Sequence, residues 1–526
     1  MGIPVTNRPL SQKRMIQFGI FVIYAISFLL ATFSWGLDLW NNDNPGGTPS
    51  NAPHPSGHPS YSSFKKAFPT LLTPEKFIQL SRLQSAELAG DFGQGQTILL
   101  IEDSPDFDRH GYVQFIHEFS SSDPELNLNI SSPLVYYRGK LEKDPPSSKS
   151  DKKSGVLETM LDTEWAHVIA PRAKLVVIDT SGQNIKQLEN TIRSIHPTSV
   201  AITTGNGNET PYRNPLAWES PIQSRSFLQW LSNHFATFVS SGDNGSHIPS
   251  AAVAPHAVLV GGIAANPHAN LLKLSSYEPW PSEGYGVAKL DVLAPPFQYN
   301  SAFPYSHWRQ VPDVAWLAGY PGVEIDTDSG WFPEFGTSLS APCLAALWAL
   351  CNEARILSHK DPLPPQANDV LYDIAKYDKM AFYKSSPINT HAIWVHMWGL
   401  GVPNPTQMIQ DVESISTFQV YNVTFDPWPE IPFAILCLIQ ASIFILLFYK
   451  YFLKKRGARD ELILIFLTNC GLFILAKYAS TSLMQINQNE RVNFLVIYVF
   501  VLSFIAYFLH VIIQVACRII TSTSKK

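Results

Sequence analysis

No charged residue falls between Met15 and Leu37, between Ile431 and Tyr449, or between Val492 and Cys517 of this 526-residue chain. Each run reaches the roughly 20 apolar residues that a helix needs to cross a bilayer, longer than most helices buried in a soluble core. A fourth run, within 461–481, is interrupted by Lys477, whose long stem can carry its ammonium to an interface. The chain is 45% hydrophobic, with 31 Phe, 20 Tyr and 13 Trp, and these runs hold much of that surplus. Basic residues set the orientation. Arg8, Lys13 and Arg14 precede the first run, Lys450, Lys454, Lys455, Arg456 and Arg459 lie between the second and third, and Arg518, Lys525 and Lys526 follow the fourth. Such clusters stay cytoplasmic.

The expected organisation is therefore a cytoplasmic N-terminus (1–14), a transmembrane signal anchor (15–37), a linker (38–63), a folded domain (64–412) and a connection back to the membrane (413–430). Transmembrane helices 431–449, 461–481 and 492–517 follow, with a basic cytoplasmic loop (450–460) and a cytoplasmic tail (518–526). This is a multi-pass protein of the cell membrane with its large domain on the extracytoplasmic side, and the lipid bilayer is its first expected partner. A net charge of −5, with no basic stripe in that domain, points away from nucleic acid. His510 and Lys477 have no charged partner within the runs, which argues against a transport pathway.

Asn41 to Ser63 is rich in Pro, Gly, Ser and Asn without periodicity, the composition of a tether. Beyond it, short apolar runs alternate with helical spacing. TILLIED (97–103), AKLVVID (173–179), TSVAITT (198–204), FATFVSSGD (235–243) and AVLVGGIAA (257–265) are strand-like, and NIKQLENTIRSI (184–195) is helix-like. Near-continuous Val/Ile/Leu strands separated by helices predict an α/β fold with a mainly parallel sheet covered on both faces, whose ligands gather at the carboxyl ends of the strands. Cys343 and Cys351, on one predicted helix, are roughly 12 Å apart at 1.5 Å per residue, too far to bridge.

EFGTSLSAPCLAALWAL (334–350) places Ser338 in a tight turn before an apolar helix, a position from which a serine hydroxyl can attack if a base stands beside it. His110 follows Asp103 closely, in DSPDFDRHGYVQF, and reads better as a surface or helix-start residue than as that base. Glu158 and Asp162, in GVLETMLDTEWAHVIAPRAKLVVI, are four apart on a predicted helix, with Cβ atoms roughly 5–6 Å apart. Two carboxyls that close resist ionising together, so one keeps a proton while the other accepts one. Phe238 to Ser246, FVSSGDNGS, ends a strand at Asp243.

These three blocks, in this order, resemble the sedolisin family of serine-carboxyl peptidases, a branch of the subtilisin-like clan. LTPEKF (72–77), GQGQTILLIEDSPDFD (93–108), EWAHVIAPRAKLVVI (164–178), VPDVAW (311–316) and WGLGVPNP (398–405) extend the resemblance over about Leu72 to Met408. It implies a subtilisin-like three-layer αβα fold beside the transmembrane α-helices, and a serine-type endopeptidase acting on peptides or proteins. Ser338 would be the nucleophile, Glu158 the general base, Asp162 the residue that orients it and Asp243 the oxyanion donor, which must be protonated to donate and so favours acidic pH. The second reading is an inactive protease-like binding module tethered to the membrane.

Three departures stand out. Only residues 38–71 separate the first apolar run from LTPEKF, where the family has a long propeptide, which puts autocatalytic activation in doubt. Arg172 replaces the glycine of the family's Ala-Pro-Gly. The family's calcium site would use Asp373 and Ile374, but Val395 stands where a late Asp is expected and no Gly-rich loop precedes it. Calcium takes six to eight oxygens, so the site reads as degraded and no cofactor is required.

Overall fold

Strands form where the sequence concentrates its Val/Ile/Leu runs. In chain order they are β1 (Thr97–Glu102), β2 (Leu134–Tyr137), β3 (Lys140–Glu142), β4 (Lys174–Asp179), β5 (Ser199–Ile202), β6 (Ala236–Ser240), β7 (Val258–Ala265), β8 (Tyr277–Pro279) and β9 (Val314–Leu317). The computed structural model describes residues 60–102, 107–120, 133–137, 139–142, 153–180, 183–203, 225–245, 254–287, 294–299, 308–384 and 397–421. All of these fall within one compact unit, Gly57–Lys526. Among the described residues the sheet has nine strands in the order β9-β7-β6-β5-β1-β4-β2-β3, with β8 paired to β7. Only β3 and β8 pair antiparallel; the other pairings are parallel.

The helices of seven residues or more are α1 (Tyr61–Ala67), α2 (Pro74–Ser81), α3 (Arg109–Phe119), α4 (Lys153–Ile169), α5 (Ile185–Ile195), α6 (Arg225–His234), α7 (Thr337–Leu357), α8 (Ala367–Tyr377) and α9 (Pro405–Ser414). The pleat of β1 sorts them into layers. Ile98 and Leu100 pack in one core with Trp165 and Ala166 of α4 and Leu344 and Trp348 of α7. Leu99 and Ile101 pack in a second core with Leu188 and Ile192 of α5 and Phe227 and Leu231 of α6. Both faces of a mainly parallel sheet are therefore covered, the αβα arrangement expected for continuous apolar strands.

α7 is the central support of the site. Its residues from Thr337 to Arg355 are all buried, and small side chains let it lie close to the sheet. Ser199 Oγ of β5 donates to Ala345 O at 2.8 Å, and Ser340 Oγ donates to Leu317 O of β9 at 2.9 Å. Cys343 and Cys351 are unbridged and buried on this helix, and burial pushes both thiols up. The antiparallel hairpin β10 (Val323–Thr327) and β11 (Gly330–Glu334) delivers the chain to Gly336 and the start of α7.

Two boundaries move. The expected linker runs to residue 63, but α1 begins at Tyr61, with the Ser60 side chain accepting from Ser63 N. This helix is held by its neighbours: Tyr61 Oη donates to Glu324 Oε1 at 2.8 Å, Lys65 Nζ bonds Glu324 Oε2 at 2.8 Å, and Phe64 lies against Trp331. At the other end α9 continues to Ser414, past residue 412. Arg172, the departure after Ala-Pro, has a structural use: its guanidinium sits 4.5 Å over the Phe92 ring, while the backbone N–H of the same residue donates to Phe92 O. Among the described residues no helix is long and apolar enough to cross a membrane. Segments 1–14, 15–37, 431–449, 450–460, 461–481, 492–517 and 518–526 lie outside the described residues.

A fully buried pair fixes the start of β9. Arg309 Nη2 lies 2.6 Å from Asp313 Oδ2, and its two terminal nitrogens also donate to Ala254 O and Ala257 O. Asp313 Oδ2 accepts from Leu259 N at 2.8 Å, tying the entry of β9 to β7. Removing one partner of a buried pair leaves the other charge uncompensated, at about 3–5 kcal/mol. Arg309→Met is therefore expected to lower the denaturant midpoint by that order, with an unchanged slope; a loss under about 1 kcal/mol in the same titration would contradict it.

Candidate active site

The carboxyl ends of β1, β5 and β6 are neighbours in the sheet, and each supplies a polar residue: Glu102 ends β1, Thr203 follows β5 and Asp243 follows β6. α4 and α7 pack side by side over the same sheet face. α4 brings Glu158 and Asp162, one turn apart, and α7 brings Ser338 from its first turn. The four residues singled out from the sequence thus come from three separate segments to one place. Ser338 is 8% exposed and Asp162 1%; Glu158 and Asp243 are half-buried.

The turn before Ser338 is built around a glycine. Gly336 sits at φ +139°, and a Cβ there would come 2.7 Å from Asp243 Oδ2. Thr337 N and Thr337 Oγ1 donate to Asp243 Oδ1 at 2.9 and 2.8 Å, and Thr337 Oγ1 accepts from Gly242 N at 3.1 Å. Oδ1 is therefore engaged, which leaves Oδ2 as the natural seat of a proton. Pro342 has no N–H, so the Ser338 carbonyl lacks its usual helical donor. Gly336→Ala is expected to combine an unfavourable φ with a clash at Asp243, costing about 1–3 kcal/mol. Tm and peptide turnover should fall together, and a variant with unaltered Tm and turnover would count against this account of the turn.

The electrostatics are those of too many acids in too little water. Burial pushes the Glu158 carboxyl up to about 7, against the opposing pull of the Ser338 hydroxyl; the Asp243 charge adds to the rise and the Thr203 hydroxyl opposes it. Asp162 is raised well above the ordinary carboxyl range by burial, then by the neighbouring Glu102 and Glu158. Burial also raises Asp243, with the two Thr337 bonds working the other way. Glu334, the last residue of β11, is held at about 8 by burial and by Glu158. Carboxyls this close titrate as a group. Glu158 faces the Ser338 hydroxyl, and Asp162, raised the further of the two by burial between Glu102 and Glu158, is the one that keeps its proton.

Glu102, Thr203 and Glu334 were not singled out by the sequence. Thr203 Oγ1 donates to Glu102 Oε2 at 3.2 Å, and both residues act on Asp162. For Glu102 and Thr203 the sequence carries their position, at the carboxyl ends of the strand-like runs TILLIED and TSVAITT where polar groups converge, but not their partners. His110 lies at the start of α3 with its side chain exposed, paired to Asp328 at 3.0 Å; Asp103 is outside the described residues.

Among the described residues the expected calcium residues do not gather as a cation site. Asp373 Oδ2 accepts from Gln419 N at 3.2 Å, the Ile374 side chain is in the core, and its carbonyl accepts from Asp378 N. Among the described residues no three His, Cys, Asp or Glu side chains gather as metal ligands, and Val395 is not among those residues. With Asp373 Oδ2 and the Ile374 carbonyl engaged and no further carboxylate gathered beside them, the described residues do not fit calcium, and no chemistry is routed through it.

Solved structures similar to this chain are proteases. Pseudomonas sedolisin, a serine-carboxyl proteinase complexed with two molecules of pseudo-iodotyrostatin, matches at 16% identity with a TM-score of 0.48, covering 66% of this chain and 99% of that one. The prenylagaramide maturation protease PagA matches at 10% identity and TM-score 0.38, covering 63% of this chain and 98% of that one. A lanthipeptide protease matches at 14% identity and TM-score 0.41, covering 68% and 99%. No family model matches the chain, and no curated protein does. At these identities the chemistry has to be judged from the residues themselves.

Proposed function

We propose that this chain is a membrane-anchored serine-carboxyl endopeptidase of the sedolisin type. The observation that carries the reading is the meeting of Ser338, Glu158, Asp162 and Asp243 at the carboxyl end of the sheet, with Glu158 acting on Ser338 and Asp243 fixed to the residue beside it. Ser338 Oγ attacks the peptide carbonyl while ionised Glu158 takes its proton, and protonated Asp162 keeps negative charge from accumulating on Glu158's neighbour. Asp243, protonated on Oδ2, donates to the developing oxyanion. Glu158 then returns the proton to the leaving amine, and water resolves the acyl-enzyme by the same steps in reverse. In the first half the serine's proton passes through Glu158 to the amine, and in the second the water's proton passes through Glu158 back to Ser338, so no histidine is needed.

The four apolar runs and their flanking basic clusters anchor this domain on the extracytoplasmic side of a membrane. Labelling of Ser338 by a peptide aldehyde or phosphonate at acidic pH, lost in Ser338→Ala, tests the chemistry. A folded protein that neither labels nor cleaves any peptide would instead be the tethered binding module. Retention in the membrane pellet after alkaline extraction, with the domain open to added protease only from the outer side, tests the anchoring and the orientation separately.

A further inference from the structure

α7 joins two opposite poles of the domain. It starts beside Asp243, at the carboxyl ends of the strands, and runs back along the sheet to their amino ends. There Asn352 Nδ2 donates to Gln96 Oε1 at 2.7 Å and Glu353 Oε2 accepts from Phe92 N at 2.9 Å, both ahead of β1. Ser338 and Arg355 therefore stand about 25 Å apart, at a rise of roughly 1.5 Å per residue. Arg355 receives the segment that leads toward the apolar run at Ile431. Its guanidinium donates to Val412 O, Ile415 O and Ser416 O at 2.6, 2.7 and 3.0 Å and lies 5.1 Å from the centre of the Phe418 ring. The segment then crosses to α8, where Asp373 and Asp369 accept from Gln419 N at 3.2 Å and Tyr421 N at 2.7 Å. Asn368, beside Asp369, donates to Ala257 O ahead of β7, so this end of α8 is also at the amino end of the sheet. Tyr421 is thus pinned at the pole opposite Ser338.

From Tyr421 to Ile431 the chain reaches at most about 35 Å fully extended. A domain of about 350 residues is about 50 Å across, so this length brings the amino-end pole to a bilayer but cannot pass around the domain to present the catalytic end. The same pole exposes large apolar side chains. Leu357, two residues past Arg355, is 65% exposed; Val420, between the two residues bonded to α8, is 42% exposed; Tyr377, one turn past Asp373, is 67% exposed, with Lys376 Nζ 5.2 Å from its ring centre. Aliphatic, aromatic and lysine side chains in one place are the set that settles at the boundary of headgroup and acyl chain.

We infer that this face, made by the end of α7, α8 and the segment 412–421, rests on the lipid surface and holds Ser338 roughly 25 Å above it, on the side turned away from the bilayer. This rests on the membrane-anchored reading above and narrows the substrate class of the site. An extended chain needs about 8 residues to climb that height, so a bond closer to the lipid does not reach Ser338. The substrates are therefore polypeptide segments that stand clear of the membrane, not the stretches that border a membrane span.

The test places the full chain in phosphatidylcholine vesicles that carry a phospholipid with a photoreactive headgroup, and maps the labelled residues by mass spectrometry. Label is expected on 356–360, 376–380 and 416–421, and about tenfold less on 330–338. The double variant Leu357→Glu, Tyr377→Glu should lower the label on the first three stretches about tenfold with Tm unchanged. With peptides lipidated at one end, a scissile bond about 20 residues from the lipid should be cut at least about tenfold faster than the same bond about 4 residues from it. Label spread evenly or concentrated on 330–338, label unchanged in the double variant, or equal cutting at both spacings overturns the face while leaving the anchoring in place. Loss of the chain from the membrane pellet at alkaline pH overturns both. A chain that stays in the pellet and cuts neither peptide fails as a peptidase, and the lipid label alone then decides the face.

Discussion

Ser338→Ala is expected to reduce peptide turnover by at least about 10⁴-fold, and Glu158→Gln by a comparable factor, with the double variant little worse than either alone. Nucleophile and base act as one unit: without the hydroxyl there is nothing to deprotonate, and without the carboxylate the hydroxyl is a poor nucleophile, so the losses do not add. Glu158→Gln nearly preserves the shape of the side chain in a half-buried position, so its effect reads chemistry rather than folding. The residual rate should come from substrate binding and oxyanion stabilisation alone. Steady-state kcat/KM for the three variants, with Tm measured alongside, checks this. Additive losses, or a Glu158→Gln variant within tenfold of the parent, would remove Glu158 from the role of base. Replacement of His110, exposed and paired to Asp328 at the start of α3, should leave kcat/KM within a few-fold.

The second large effect concerns pH. Glu158 must be ionised to accept a proton and Asp243 must be protonated to donate one, so the active form holds one proton between them. Below both pKa values Glu158 is blocked; above both, Asp243 has lost its proton. The profile of kcat/KM is therefore a bell peaked between the two values, whichever group ionises first. Glu158, held at about 7, sets one limb near neutrality, and Asp243, raised from its ordinary range by burial, sets the other. Asp243→Asn separates the two limbs. Its amide can accept from Thr337 through the oxygen and donate through Nδ2 at every pH, so the alkaline fall should disappear and leave a single rise governed by Glu158. Asp243→Ala removes the donor and should cost about 10²–10³ in kcat across the range. A bell that survives unchanged in Asp243→Asn would assign the alkaline limb to another group.

Much of this architecture could be read from the chain because burial on both faces of a sheet writes itself into local composition. TILLIED, AKLVVID and AVLVGGIAA became β1, β4 and β7 within a residue or two, since a strand covered on both sides has no polar face to confuse the pattern. Glu158 and Asp162 were legible as a pair because helical spacing is a local property. Glu102 was not, because an acidic residue closing an apolar run looks the same whether it ends a strand or reaches a neighbour. The edge-to-face contact of Trp280 with Phe335 depends on how β8 and the β10–β11 hairpin return to the sheet, which no window of sequence contains. α1 was missed for the same reason. Tyr61–Ala67 is too short to be helical by itself and is stable where it is because Glu324 and Trp331 receive it.

The two sulfurs of α7 carry a practical consequence. Cys343 and Cys351 are each 0% exposed and are the unbridged cysteines among the described residues, with burial holding both as neutral thiols. Reagents that attack thiolates should therefore pass this domain by in its native state, and inhibition by them would report unfolding rather than active-site chemistry. An added surface cysteine would then be a distinct address in the domain, so a spin label or dye could be placed at the domain surface without first removing the native sulfurs from the helix that supports Ser338.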